Sequence, residues 1–235
     1  MNFAEGEILL INKPLTWTSF DVVNKLRYAI TRKLGNRIKV GHAGTLDPLA
    51  TGLLIICTGK MTKRIDELTG MDKEYTGTFL LGATTPSYDS EMEVDATFPV
   101  EHINEKILNE AVKKFIGLTQ QMPPIYSAIK IDGKTSYAQA RKGKGVEMKT
   151  RTVEIKEFDL TKIDLPQVEF SVLCSKGTYI RSLAFDFGKA VNSGAYLKGL
   201  CRTKIGNYDL NNSMTVEECV TMISESLLPE VGSQK

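Results

Sequence analysis

Five consecutive apolar side chains, Leu53 to Cys57, lie between glycines in the stretch GLLIICTG, residues 52–59. The run has the length of a strand and no alternation of apolar with polar positions, so a strand here is buried on both faces. Any fold for this chain has to place that strand inside a sheet and cover it from two sides.

The flanking segments supply the cover. TSFDVVNKLRYAITRKLG sets Phe20, Val23, Leu26 and Ile30 at helical spacing, with Thr18 or Ser19 as N-cap and Gly35 as the stop. EGEILLINKP reads as a short buried strand, KMTKRIDELTG as a short helix and KEYTGTFLLGATT as another strand. The acidic PSYDSEMEVDATFP reads as an exposed loop, and INEKILNEAVKKFIG carries Ile103, Ile107, Leu108, Val112 and Phe115 on one helical face. QQMPPIYSAIKIDG is barred from helix at its Pro-Pro and resumes as a strand, and TSYAQARKGKGVEMKTRTVEIKEFDL reads as helix, basic loop and long strand. QVEFSVLCSKGTYIRSLAFDFGKAV reads as strand, turn and helix, and Thr215 with Glu218 forms a capping box for a last helix. Strands and helices mix without a regular βαβ period, which predicts an α+β fold with a large, mixed, mostly antiparallel sheet flanked by helices. No repeat or linker tract interrupts residues 1–235, so a single domain is expected.

The N-terminus is acidic before a short apolar run and lacks the basic start and long apolar core of a secretory signal. No stretch approaches the length of a membrane span. Cys57, Cys174, Cys201 and Cys219 are widely separated, and only two histidines could join them around a metal. A cytoplasmic protein without metal is expected. The formal net charge of +2 hides segregation: +4 over residues 1–70, −7 over 71–110, +7 over 111–156 and −2 over the remainder. A polyanion responds to such a basic block rather than to the total.

GLLIICTGKMT resembles a phosphate loop, but six residues separate its glycines and Lys60 is followed by Met. The chemistry therefore points to carboxylates. In GHAGTLDPLATG, glycines permit close backbone approach to a ligand, and Asp47 before Pro48 is held away from helical dihedrals. The alternative is that Asp47 caps a turn and His42 is an ordinary satisfied side chain. In CSKGTYIRSLAFDFG, Tyr179 and Arg181 follow a strand, where a buried arginine needs a carboxylate partner. DKEYTG adds Tyr75 at the start of another strand.

Five blocks, LLINKPLTWTSFDVV, GHAGTLDPLATGLLIICTGKMTK, DKEYTGTFLLGATT, MPPIYSAIKIDGKTSYAQAR and CSKGTYIRSLAFDFG, occur in the order found in the bacterial tRNA pseudouridine-55 synthase family (TruB type). The chain closely resembles that family over roughly residues 7–210. The resemblance implies a pseudouridine synthase fold and tRNA, through its T-arm stem-loop, as the partner of a monomer, with no cofactor. It implies that Asp47 is the catalytic aspartate, that Arg181 pairs with and orients it, and that Tyr75 stacks on the target uracil. It also implies that His42 fills the gap left in the RNA stack and that Tyr179 and Leu200 line the uridine pocket. Lys13 and Lys130 match basic motif positions. Residues 124–152, with Arg141, Lys142, Lys144, Lys149 and Arg151, fall in an RNA-clamping insertion. Many members carry a further C-terminal RNA-binding domain of the PUA type; here residues 212–235 are expected to form only a helix and a polar tail.

Pseudouridylation breaks the N1–C1′ bond of uridine, turns the base and rejoins it through C5, without oxidation, reduction or hydrolysis. The nucleotide must first leave its stack, at a cost of a few kcal/mol. Attack at C1′, attack at C6 and proton removal from C2′ each require one carboxylate, and all three stay open. A non-catalytic protein that remodels the tRNA elbow would share the basic surface but would need no Asp47 and Arg181. A glycoside hydrolase would need a second acid across the bond, and none stands out.

Overall fold

The computed structural model describes residues 1–127, 130–131, 133–136, 139 and 148–226. In chain order the elements begin β1 (Ile8–Lys13), α1 (Ser19–Leu34), β2 (Val40–Ala43), β3 (Ala50–Thr58), a 3₁₀ turn (Gly59–Arg64) and α2 (Ile65–Gly70). They continue with β4 (Lys73–Leu81), β5 (Ala83–Thr84), β6 (Ala96–Thr97), α3 (Glu105–Lys113), β7 (Gly117–Gln121), β8 (Lys130–Ile131) and β9 (Lys134–Thr135). The rest are β10 (Arg151–Asp164), β11 (Gln167–Cys174), α4 (Ile180–Ala190), β12 (Ala195–Ile205), β13 (Tyr208–Asp209), a 3₁₀ turn (Leu210–Asn212) and α5 (Val216–Glu225). These form two compact units, Met1–Lys73 with Cys201–Lys235, and Glu74–Leu200.

The first unit is organised around β3. It pairs antiparallel with β1, from Ile8↔Cys57 to Lys13↔Gly52, and with β2, from Val40↔Thr58 to Ala43↔Ile55. Leu54 and Ile56 face a core built with Leu9, Ile11, the α1 residues Val22, Val23, Leu26 and Ile30, and Val216, Cys219 and Ile223 of α5. Leu53, Ile55 and Cys57 face the opposite side, with Ala43, Leu68 and Ile205. The unbroken apolar run is thus explained: alternate side chains serve different cores, each gaining roughly 1.5–3 kcal/mol by burial. Helix α1 starts at a Thr18–Asp21 capping box and stops at Gly35, whose φ of 73° is left-handed. Phe20, expected on the inner face, is instead exposed with Arg27 over its ring at 5.7 Å. The inner stripe passes through Val22, so the phenyl ring falls outside it.

In the second unit the strands run in the order β4-β11-β10-β7. β10 pairs antiparallel with β11, Ile155↔Cys174 to Asp164↔Gln167, and with β7, Arg151↔Gln121 to Ile155↔Gly117. The Ala195–Leu200 part of β12 adjoins β4, where a side chain at Gly77 would meet the Gly199 carbonyl oxygen at 2.5 Å. Five phenyl rings fill the core: Phe79 stacks on Phe170 at 4.1 Å, and Phe115, Phe158 and Phe187 pack around them. The acidic segment departs from the expected exposed loop. Ser87 and Asp89 within it are buried, and Ala96–Thr97 pairs with Ala83–Thr84 as a small ladder. The strand β12 had no clear signal in the sequence.

Candidate active site

Asp47 lies in the loop joining β2 to β3, half-buried, on a backbone held from several directions. Lys13, at the end of β1, is fully buried and its Nζ donates to the carbonyl oxygens of Pro14 at 3.0 Å, Trp17 at 2.6 Å and Pro48 at 3.5 Å. The Thr16 backbone N–H donates to the same Pro48 oxygen at 2.8 Å. Ser19 brackets Leu46: its Oγ accepts from the Leu46 N–H at 2.8 Å and donates to the Leu46 carbonyl at 3.1 Å. Arg202 spans the two ends of the loop, donating from Nε to Leu53 O at 2.8 Å and from Nη2 to Gly44 O at 3.0 Å. It comes this close because Gly52, at φ 100°, carries no side chain; a Cβ there would lie 2.3 Å from the Arg202 carbonyl oxygen.

This scaffold sets the local electrostatics. Burial lowers the Lys13 pKa to about 8, with the Arg202 charge acting the same way and Asp47 and Asp21 acting against it. The Asp47 carboxylate thus lies close enough to the buried Lys13 charge to act on it. His42, on β2 opposite Ile56, has its pKa pushed down by burial and by Arg202, against a smaller opposing effect of the Gly44 backbone. Its Nδ1 is buried with no hydrogen-bond partner among the described residues. The ring is therefore neutral near pH 7, suited to stacking against bases rather than to pairing with phosphates.

In the second unit, Arg181 occupies the first turn of α4 and is buried. Its Nε lies 3.5 Å from Asp89 Oδ2, and its Nη1 donates to Ser87 O at 3.2 Å. Asp89 is thus a partner that the sequence reading placed in a solvated loop. Tyr179 precedes the helix and is bracketed by buried Gln121, which accepts from the Tyr179 N–H at 2.8 Å and donates to its carbonyl at 3.0 Å. Arg151 lies over the Tyr179 ring at 5.2 Å. Tyr75 is a buried residue of β4 on the same face as Phe79, and Leu200 is half-buried in β12.

The structure therefore gathers His42, Asp47 and Lys13 in the first unit, and Tyr75, Tyr179, Arg181 and Leu200 in the second. Lys149 and Arg151 are described; Arg141, Lys142 and Lys144 lie outside the described residues, and only the backbone of Lys130 is described. Ser19, Arg202, Asp89 and Gln121 were missed by sequence reasoning. Each is one polar residue in an unremarkable local context, and only the buried Arg181, which demanded a carboxylate, hinted at a partner of the kind Asp89 provides. Among the described residues no group of three His, Cys, Asp or Glu side chains is placed to hold a metal ion.

Residues 31–180 match the TruB family pseudouridylate synthase N-terminal domain. A Flavobacterium johnsoniae protein named tRNA pseudouridine synthase B is 59% identical over 96% of this chain and 97% of its own length. One of the same name from Phocaeicola vulgatus is 56% identical over 98% and 99%. Among solved structures, a chain of a Cbf5-Nop10-Gar1 complex superposes with a TM-score of 0.69 at 26% identity, over 94% of this chain and 55% of that one. A chain of an H/ACA RNP bound to a substrate RNA containing 2'-deoxyuridine gives 0.66 at 24% identity, over 93% and 53%, and supports the fold alone. This chain spans about half the length of those two solved chains. With a family match over most of its length and near-complete coverage of relatives more than half identical, the chain belongs to the TruB family of pseudouridylate synthases.

Proposed function

We propose that this protein is a tRNA pseudouridine synthase that isomerises uridine 55 of the T-loop by flipping the nucleotide and using Asp47 to break and re-form the glycosidic bond. The observation that carries the reading is the 59% identity, over nearly both full lengths, with a protein named tRNA pseudouridine synthase B. The braced Asp47 loop supports it physically, because a carboxylate that must meet one atom of the flipped nucleotide needs a backbone that does not move. Arg181 supplies the positive charge that keeps the reacting carboxylate ionised and aimed, and Tyr75 supplies a stacking face. Neutral His42 enters the vacated stack, and Tyr179 and Leu200 line the uridine pocket. Lys13 acts through the loop it holds, Lys130 is a further basic contact, and Arg141, Lys142, Lys144, Lys149 and Arg151 bind RNA phosphates. The protein acts as a monomer in the cytoplasm; among the described residues no helix is long and apolar enough to cross a membrane.

The test is to incubate an unmodified tRNA transcript with the pure protein and map pseudouridine chemically. Product at position 55 is expected with wild type and none with Asp47→Asn, which should still bind the transcript. Turnover by Asp47→Asn near the wild-type rate would remove Asp47 from the mechanism. Binding and unfolding of the transcript without any product from wild type would favour the remodelling function instead.

A further inference from the structure

Tyr88 has a φ of 63°, a left-handed conformation that a bulky residue adopts only when its surroundings impose it. Its two neighbours show what the turn achieves. Ser87 presents its carbonyl oxygen to Arg181 Nη1 at 3.2 Å, and Asp89 presents its carboxylate to Arg181 Nε at 3.5 Å. Between them, the Tyr88 ring lies nearly parallel on Phe185, with centroids 4.0 Å apart and planes at 15°. Phe185 stands four residues after Arg181, one turn further along α4 on the same side. One stretch of three residues therefore meets one helix face twice, through an ion pair and through a ring stack.

The turn has further ties. The Tyr88 N–H donates to Thr85 O at 3.1 Å, and the Tyr88 carbonyl accepts from the Leu197 N–H at 2.9 Å. Thr85 Oγ1 donates to Asp89 O at 2.7 Å, and Lys189 Nζ lies 4.2 Å from the centre of the Phe185 ring. None of these bonds reaches α4 from Tyr88 except the stack. The carboxylate and the carbonyl that meet the guanidinium belong to one short turn and could shift with it along the helix axis; a ring clamped one turn away removes that freedom.

We infer that Tyr88, through its stack on Phe185, is a positioning residue for the isomerisation, fixing Asp89 and the Ser87 carbonyl against Arg181. The inference rests on the role given to Arg181 above. It touches neither substrate nor reacting atoms.

The experiment measures single-turnover pseudouridine formation by the full-length protein at saturating enzyme, together with transcript affinity and melting temperature, at a temperature where every variant is folded. Tyr88→Phe keeps the stack and should run at the wild-type rate. Tyr88→Ala, Tyr88→Gly and Phe185→Ala should each slow the rate at saturation about tenfold with affinity unchanged. Because both rings act as one clamp, Tyr88→Ala with Phe185→Ala should be no slower than the slower single variant. Tyr88→Gly separates the ring from the backbone, since glycine takes the left-handed turn without strain. A wild-type rate in Tyr88→Gly or Tyr88→Ala, multiplicative losses in the double variant, or a loss of affinity in place of rate would each overturn the inference. Should Tyr88→Ala fail to fold, Phe185→Leu, which keeps the apolar bulk without the ring, must show the same slowing. Arg181→Met is measured alongside. If it is slow while Tyr88→Ala is fast, only the positioning role falls; if it is fast, the reading of Arg181 itself falls, and this inference with it.

Discussion

The Asp47 loop and the Arg181 turn solve one problem with opposite charges. Around Asp47, buried cations act as scaffold: Lys13 and Arg202 spend their N–H groups on the backbone carbonyls of residues 14, 17, 44, 48 and 53. Around Arg181, the scaffold is a buried anion, Asp89, assisted by one carbonyl. Lys13 and Arg202 are more deeply buried than the Asp47 they support, whereas Asp89 and Arg181 are buried to the same depth. The difference lies in how the support works. Donors that bind carbonyls hold a loop's shape and still function with part of their number lost, whereas a carboxylate beside a guanidinium holds the direction of one side chain.

That asymmetry can be broken by experiment. The largest effect is expected for the acting cation: Arg181→Met should lower single-turnover pseudouridine formation on the order of 10³-fold while transcript binding persists. Next come the supports. Asp89→Asn removes a buried counter-charge from beside Arg181 and should cost about 3–5 kcal/mol in urea unfolding, with a large loss of rate. Arg202→Met leaves two carbonyls without donors and should cost less, roughly 2 kcal/mol, with a smaller loss of rate. A costlier Arg202→Met would invert the comparison.

A smaller effect should follow from pH. Lys13, with its pKa lowered to about 8, loses its proton as the solution passes from pH 7 to 9, and its carbonyl partners then face a neutral amine. The single-turnover rate should fall with a midpoint near pH 8, and that step should be missing in Lys13→Met, which is slow throughout. Stability moves the other way. Between about 8 and 10.5 the unfolded chain holds more protons on this residue than the folded protein, so the Lys13 contribution to folding becomes more favourable as pH rises. The melting temperature of wild type relative to Lys13→Met should therefore climb across that window while the rate declines. The smallest effect is expected at an exposed pair: Glu67→Gln weakens the contact with Arg64 at 2.6 Å but should leave the urea midpoint indistinguishable from wild type. A measurable loss there would mean that burial is not what separates supporting charges from surface ones.

The sequence displays the residues proposed to act more openly than those that support them. Asp47 and His42 stand among glycines and a proline, and Arg181 follows a strand and a turn, so local chemistry marks them. Arg202 and Asp89 carry no such mark, because what makes them important is a partner 149 residues away for Arg202 and an arginine beyond six intervening strands for Asp89. The acidic composition around Asp89 even argued for solvent, and only packing against α4 reverses that. The two-sided strand, the capped α1 and the Thr215 capping box were all legible because period and capping are local properties. Phe20 was misplaced because a bulky ring at helical spacing looked like core, whereas the inner stripe takes the smaller Val22 two positions on.

The two-unit division has a consequence for how the chain comes off the ribosome. Glu74–Leu200 is one contiguous segment, so its phenyl core can close while synthesis continues. The unit that carries Asp47 is different: Met1–Lys73 is made before the Glu74–Leu200 segment, yet Arg202 and the α5 side chains Val216, Cys219 and Ile223 are made after it. Until they emerge, the inner face of α1 has no lid and the loop around Asp47 has no brace. Nascent chains stalled before residue 201 should therefore stay sensitive to protease within their first seventy residues and become resistant only when the C-terminal helix is released.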